Sequence, residues 1–336
     1  MRVTHLIAFC LAAAAAVHAQ AGQEQSAQKN KPSKPPRPGV STPGVKRALS
    51  VIHPQAIFDA GSGTPDWQVL TDDSVWVANG PRNAIHRLDV TTNRVAATIP
   101  VGKRPCSGLA AGFGSIWVPN CEDKTISRVD MKTNAVVATV PAGPAESEGG
   151  IAASEDAVWL VTDRSGTLSR IDPKTNSVSA TIKVPAGSAS VLFGDGAIWV
   201  TTPATNSLTR VNSKTNKVTD TIAVGPGPRF ETLGDGSVWT LNQGDGSISR
   251  VDAATRKVIA TIMVGIPGKG GEIAFGLGRI WATVFDIPIS EIDPGTNQVV
   301  RQWFGDGGDS IRAGHGSVWL SNLRAHTIWR IDPKQF

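Results

Sequence analysis

The sequence contains no tyrosine, and only three cysteines, three methionines and six histidines in 336 residues. Three cysteines are too few for a disulfide-built scaffold or a four-thiolate zinc site. The histidines are scattered as His5, His18, His53, His86, His315 and His326, with no pair at zinc-ligand spacing. No Gly-x-Ser-x-Gly, Gly-x-Gly-x-x-Gly or Walker pattern occurs, so no nucleophile elbow or phosphate loop is signalled. A dispersed Ser-His-Asp set is not nominated by any residue, although His326 is the one histidine placed to reach a functional loop. After Leu6 to Val17 no run is long and apolar enough to span a bilayer. Helical periodicity is absent throughout. The lack of tyrosine has no evident physical cause.

The one apolar run belongs to a leading segment. Arg2, the stretch Leu6 to Val17 and the small residues around Val17-His18-Ala19 make residues 1–19 a secretory signal, cleaved near Ala19. Bulky Phe9 before Cys10 disfavours a lipid-anchored cysteine. Residues 20–53, centred on Lys31-Pro32-Ser33-Lys34-Pro35-Pro36-Arg37-Pro38, are poor in apolar groups and read as a disordered, semi-rigid linker. The linker also accounts for the formal net charge of +5: it carries six Lys/Arg against one Glu, whereas Pro54 onward has 26 basic and 27 acidic residues. A near-neutral body disfavours nucleic acid as a partner, leaving only the basic tail for weak contact with anionic polymers. The mature protein is expected outside the cytoplasm, periplasmic or secreted, with no transmembrane segment.

From residue 54 to 336 a tryptophan motif recurs seven times, from Val75-Trp76-Val77 to Val318-Trp319-Leu320, at spacings of 41, 42, 40, 40, 42 and 38 residues. Eleven residues after six of these tryptophans comes an Arg-apolar-Asp/Asn step, as in Arg87-Leu88-Asp89 and Arg330-Ile331-Asp332. The sixth unit departs, with Glu291-Ile292-Asp293 one residue early. Turn chemistry such as Asp172-Pro173-Lys174-Thr175-Asn176 follows, then an alternating Val/Thr/Ile strand. A 40-residue period built of short strands predicts an all-β, seven-bladed β-propeller with four antiparallel strands per blade. The seventh unit ends at Phe336 after three strands, and Ala56-Ile57-Phe58-Asp59-Ala60 is expected to complete it and close the ring. The tryptophans are expected to pack blade on blade, and the arginines to pair with carboxylates or cover apolar surface.

Units such as Gly114-Ser115-Ile116-Trp117-Val118-Pro119-Asn120, followed by Thr125 to Asp130 and Asn134 to Val140, resemble the YVTN-type repeats of bacterial surface and periplasmic propellers. They are also similar to the streptogramin (virginiamycin B) lyase superfamily, over roughly residues 55–333. That resemblance implies the propeller and, for the lyases, magnesium-assisted elimination on a cyclic depsipeptide. The lyase pattern asks for a His entering an inner strand, a Glu two residues before it and a Glu ending the next Trp strand. The equivalent entry positions here hold Pro65, Cys106, Glu148, Ser188, Pro228, Gly270 and Gly308. Glu146-Ser147-Glu148 supplies carboxylates without the imidazole, and its Trp strand ends at Thr162.

Strand direction gathers the loops before each inner strand and after each Trp strand at one end of the ring. Those loops break the repeat, which marks that mouth as the candidate ligand-binding face. From the first loop set come Asp66, Trp67, Ser107, Glu146, Glu148, Ser190, Arg229, Phe230, Glu272, Asp309 and Arg312; Asn79, Arg82, Asn120, Lys124, Asp163, Arg164, Phe285, Asp286 and Arg324 come from the second. Mixed acids, arginines and aromatics suit a small polar molecule, a peptide or an envelope protein. No cofactor is required, and Mg²⁺ or Ca²⁺ are the ions such carboxylates would hold. Cys106 and Cys121 fall opposite each other across a hairpin turning at Phe113-Gly114 and are read as a disulfide. The leading expectation is thus a monomeric, non-catalytic exported binding propeller. A metal-assisted lyase or hydrolase using Glu146, Glu148 and Glu272 is the alternative, and polymer binding by the basic tail a second.

Overall fold

The computed structural model describes residues 37–61 and 63–336; the expected signal segment and residues 20–36 of the linker lie outside them. Seven antiparallel sheets follow one another along the chain, and the inner strands of successive blades pack side by side. The second blade shows the plan: Ala110–Gly112 innermost, then Ser115–Asn120 with the tryptophan, Thr125–Asp130 with the arginine, and Ala135–Val140 outermost. The expected closure is present. Ala56–Asp59 pairs antiparallel with Thr327–Ile331, so the seventh blade takes its outer strand from the start of the domain.

The seven tryptophans of the repeat are each at most 2% exposed. Each indole N–H is satisfied by the residue five positions earlier. Trp117, Trp199, Trp239, Trp281 and Trp319 donate to the carbonyls of Gly112, Gly194, Gly234, Gly276 and Gly314, whereas Trp76 and Trp159 donate to the hydroxyls of Thr71 and Ser154. Burying a ring of this size with its polar atom paired explains why the same residue recurs at every blade interface. The repeated arginine lies over its own blade's tryptophan, at 4.6 Å from the ring in blade five and 5.7 Å in blades three and four.

Two features depart from the sequence reading. The segment from Arg37 to Val51, assigned above to a disordered linker, is laid along blade six. Lys46–Ala48 adds a fifth, parallel strand to the outer edge Gln298–Phe304. Arg37 donates to the carbonyls of Pro267, Phe285 and Lys269, Val40 N–H donates to Gln302 Oε1, and Leu49 is buried. Composition misses this because a few well-placed contacts hold the segment, strand pairing, the Arg37 and Gln302 hydrogen bonds and the buried Val40, Val45 and Leu49, rather than a high apolar content. The second concerns the cysteines. The hairpin register holds at Ala110↔Trp117, but nearer the mouth the bridge Pro105↔Asn120 shows a slip of two. Cys106 and Cys121 nevertheless lie 5.9 Å apart at Cα and form the disulfide. Such a bond fits an oxidising compartment. Among the described residues no helix is long and apolar enough to cross a membrane.

Candidate functional site at the channel mouth

Inner strands start at the mouth, so their first residues define it. Asp66, Arg229, Glu272 and Asp309 each sit at the head of an inner strand, and Glu148 in the loop before another. The channel below is sealed. Trp67 of blade one and Phe230 of blade five meet across the axis with ring centroids 5.3 Å apart, edge to face, and are 3% and 2% exposed. Leu109 and Ile273 belong to the same apolar cluster. The two aromatics expected among ligand-binding residues are therefore the floor of the mouth, because alternation along the strand turns them away from it.

Above this plug four carboxyls face one another. Asp66 and Asp309 share a hydrogen bond, which requires a proton on one of them. Burial, followed by the charges of Asp309, Glu148 and Glu272, holds the Asp66 carboxyl well above its ordinary range, so Asp66 is the donor. Asp309 rises to about 6, chiefly through burial, against the opposing hydrogen bond from Asp66. Glu148 rises to about 7, again by burial first and then by Asp309, with Arg229 pulling the other way. Glu272 is engaged differently: Arg312 Nη2 lies 2.5 Å from its Oε1, and Ser310 Oγ and Ile311 N–H donate to its Oε2 at 2.5 and 3.2 Å.

Arg229 organises the opposite wall. From blade five it reaches the entry loop of blade three, donating to Glu146 Oε1 at 2.6 Å and to the carbonyls of Ser147 and Glu148 at 2.7 and 2.8 Å. This clamp, with Glu148 N–H on Cys106 O at 3.0 Å, holds Glu148 at φ +60°. A non-glycine residue in that region is strained and needs such support. Two depressions flank the loop. One, of about 450 Å³, is lined by Arg104, Lys124, Glu146, Ser147, Glu148, Arg164, Arg229, Gln243 and Lys269 among others. The other, of about 410 Å³, lies towards Asp66, Asn83, Cys106 and Glu122 and shares Arg104, Ser147 and Glu148 with the first.

Not every expected residue reaches the site. Asn79 and Asn120 are fully buried and bond within their blades, to His86 and to Thr125 and Ser127. Phe285, Asp286 and Arg324 form a separate group with Arg37, in which Arg324 lies 4.6 Å over the Phe285 ring. Ser107 and Ser190 are buried in the inner wall. His326 Nδ1 bonds Gly63 O at 2.7 Å, and no histidine lines either depression. Sequence reasoning missed Arg104, Gln243 and Lys269, which come from loops with no chemical signature, and Glu231. Both Glu231 carboxylate oxygens are buried without a partner, and burial pushes its carboxyl up to about 8.

Among the described residues no three His, Cys, Asp or Glu side chains are grouped to hold a metal ion. Glu272 is already satisfied by Arg312 and Ser310, and Glu146 by Arg229. No chemistry is assigned to a divalent cation at the mouth.

No protein-family profile and no curated protein matches this chain. Solved structures do. A streptogramin B lyase matches over 82% of this chain and 97% of its own length, with a TM-score of 0.69 at 20% identity. A virginiamycin B lyase from Staphylococcus aureus matches at 15% identity with a TM-score of 0.68, over 82% of this chain and 98% of its own. A catalytically inactive form of that enzyme, with quinupristin, matches at 16% identity and a TM-score of 0.69, with the same coverage. At these identities the likeness shows the fold alone, the β-propeller that these lyases also have.

Proposed function

We propose that this is an exported, monomeric binding propeller that receives a small polar ligand or peptide segment at the channel mouth and does no chemistry on it. The observation that supports this most directly is the pair of joined depressions above a sealed floor, ringed by charged side chains and divided by the clamped loop Glu146-Ser147-Glu148. A concave, mostly preformed site with a few convergent polar groups is what small-ligand recognition requires. The strain at Glu148 fits the same reading, since a left-handed non-glycine residue persists only where its surroundings force it. Elimination of the kind the related lyases perform is not carried over, because neither depression is lined by an imidazole to move a proton.

The test is a thermal-shift screen of polar metabolites, peptides and glycans against residues 20–336, repeated on a Ser147→Trp variant. Ser147 is exposed and lines both depressions, and its hydroxyl makes no hydrogen bond among the described residues, so the indole fills the mouth without removing one of those contacts. A saturable stabilisation, about 2.7 kcal/mol at a hundredfold excess over Kd, that is lost in the variant supports mouth binding. Equal shifts in both proteins would place the ligand elsewhere and overturn the reading.

A further inference from the structure

We propose that the larger depression selects small polyanions, molecules carrying two or more carboxylate or phosphate groups, and that Glu148 sets their affinity against pH. This rests on the mouth being the binding site and goes further by naming the ligand's chemistry.

The first argument is charge placement. Beyond residue 53 the chain is close to neutral, yet five basic side chains line this one depression: Arg104, Lys124, Arg164, Arg229 and Lys269. The acids that line it are Glu146 and Glu148. Glu146 is held by Arg229 at 2.6 Å and approached by Arg164 at 3.7 Å. That leaves Arg104, Lys124 and Lys269, none of which has a carboxylate within ion-pair distance among the described residues. Lys124 does bond a carbonyl, Pro144 O at 2.8 Å, which fixes its position and leaves its charge uncompensated. Arg104 is placed by the disulfide-bearing strand, whose Cys121 N–H donates to Arg104 O at 3.0 Å. Among the acids on the neighbouring turns, Glu122 lines the other depression, and three are bound elsewhere: Asp123 to Lys103 N–H and Thr125, Asp163 to Ser165, Asp245 to Ser247 N–H. Three cations without a carboxylate partner, one of them anchored through Pro144 O, around about 450 Å³ complement a compact molecule with several negative charges.

The second argument is the floor. Glu148 faces Asp309, Asp66 and Glu272 from blades seven, one and six, and Arg229 from blade five. Arg312 faces Glu272 and neutralises it, and Arg104 stands on the rim of both depressions. The loop carbonyl and amide of Glu148 are fixed by Arg229 and Cys106, which sets where its side chain leaves the loop. With its midpoint at about 7, this group is mostly neutral at pH 6 and mostly charged at pH 8. An added negative charge about 6 Å from a bound anion weakens it about tenfold at an effective dielectric of about 40.

Isothermal titration with citrate and, separately, inorganic pyrophosphate tests this on the full mature chain, at pH 6 and pH 8, for wild type, Glu148→Gln and Arg104→Ala/Lys269→Ala. Comparing wild type with Glu148→Gln at each pH cancels the probe's own titration. The proposal expects saturable binding of one or both anions, and which of them binds tells carboxylate from phosphate recognition. It further expects at least tenfold weakening in the double variant, and a wild-type-to-Gln affinity ratio near one at pH 6 that falls about tenfold at pH 8. Failure of both anions to bind, or indifference to Arg104→Ala/Lys269→Ala, overturns it. A ratio that does not change with pH overturns the role of Glu148. Binding confined to heparin, with a steep salt slope and no response to Ser147→Trp, puts the charge on the general surface and also overturns it. A neutral or cationic ligand that Ser147→Trp abolishes would sink the polyanion assignment while leaving mouth binding intact.

Discussion

Replacing Glu231 with Gln should stabilise the protein, and by more as the pH rises. Glu231 stands in the inner strand Pro228–Gly234 of blade five, opposite the Ser190 and Thr201 hydroxyls of blade four. Its stem is partly accessible, but both oxygens are sealed and neither closes a hydrogen bond. The Thr201 hydroxyl donates instead to Arg229 O at 2.9 Å. Those hydroxyls and Arg229 favour the anion, but desolvation outweighs them and lifts the carboxyl to about 8 from an ordinary 4.5. A raised acid binds its proton more tightly when folded. Between these two values the unfolded chain gives up that proton first, so stability falls as pH rises, by roughly 1 kcal/mol per pH unit, and is flat above pH 8. The ceiling is on the order of 4 kcal/mol, and relaxation around the charge will take part of it. Gln has nearly the same shape and does not titrate. Urea unfolding of both proteins at pH 4.5, 6, 7 and 8 should give near-equal stabilities at the lowest pH and a gap of a few kcal/mol in favour of Glu231→Gln at the highest. The difference cancels the similar contributions of Asp66, Glu148 and Asp309. Curves that run parallel across this range would show that Glu231 is ionised and partnered in the folded protein, and the reasoning would fail.

Two further outcomes follow from the packing. In blades one, two, five and seven the repeated arginine donates through Nε to a serine two residues before the tryptophan, as Arg87 does to Ser74 and Arg250 to Ser237. Blades three and four have Ala157 and Ala197 there, and Arg170 and Arg210 Nε are buried without a partner. Ala157→Ser and Ala197→Ser should each raise stability by about 1 kcal/mol, measured by urea unfolding; a loss would mean that the arginines are held too far out to use the hydroxyl. Deleting residues 54–61 removes the strand paired with Thr327–Ile331 and should lower the melting temperature sharply. An unchanged midpoint would refute the closure.

What could be read from the sequence was whatever repeats. Each tryptophan meets the same surroundings in its blade, so its period shows directly, and the missing strand of the seventh unit pointed to its replacement at Ala56–Asp59. The acidic mouth residues were also readable, because strand direction alone brings Asp66, Glu148, Glu272 and Asp309 to one end. Depth was not. A single step along an inner strand separates Asp66 at the mouth from Trp67 in the plug, and Arg229 from Phe230. Long-range partners were equally hidden: Arg229 clamps a loop more than eighty residues away, and Arg37 is captured by backbone carbonyls that carry no sequence signal.

The exceptional sixth unit has a structural cause, and it identifies where the ring should open first. In four blades the arginine's Nη1 reaches the next blade's turn between third and fourth strands, bonding a carbonyl and an asparagine: Arg87 to Met131 and Asn134, Arg128 to Pro173 and Asn176, Arg250 to Pro294 and Asn297, and Arg330, across the closure, to Val90 and Asn93. Blade seven has no such turn, because its fourth strand comes from the start of the domain. An arginine in blade six would find no acceptor, and Glu291 takes Arg279 and Arg301 instead. There the lost staple is offset by Phe336, which packs 4.9 Å from both Trp281 and Trp303. At blade four, among the described residues, the staples are replaced only by solvent-facing ion pairs, Arg256 to Asp220 at 3.2 Å towards blade five and Lys214 to Glu155 at 3.9 Å towards blade three, and such pairs contribute little. Arg170 turns back to Ser179 and Asp156, Arg210 to Thr219, and Asn216 Oδ1 is left buried and unpaired. Glu231, unfavourable when charged, lies on the same seam. Hydrogen exchange should therefore find the inner and Trp strands of blade four, Val191–Gly194 and Ala197–Thr202, the least protected among inner and Trp strands. Their protection, corrected for intrinsic rates, should fall further from pH 5 to pH 8 in wild type and hold steady in Glu231→Gln. Uniform protection around the ring would mean that the tryptophan packing, and not the arginine staples, sets the strength of each interface.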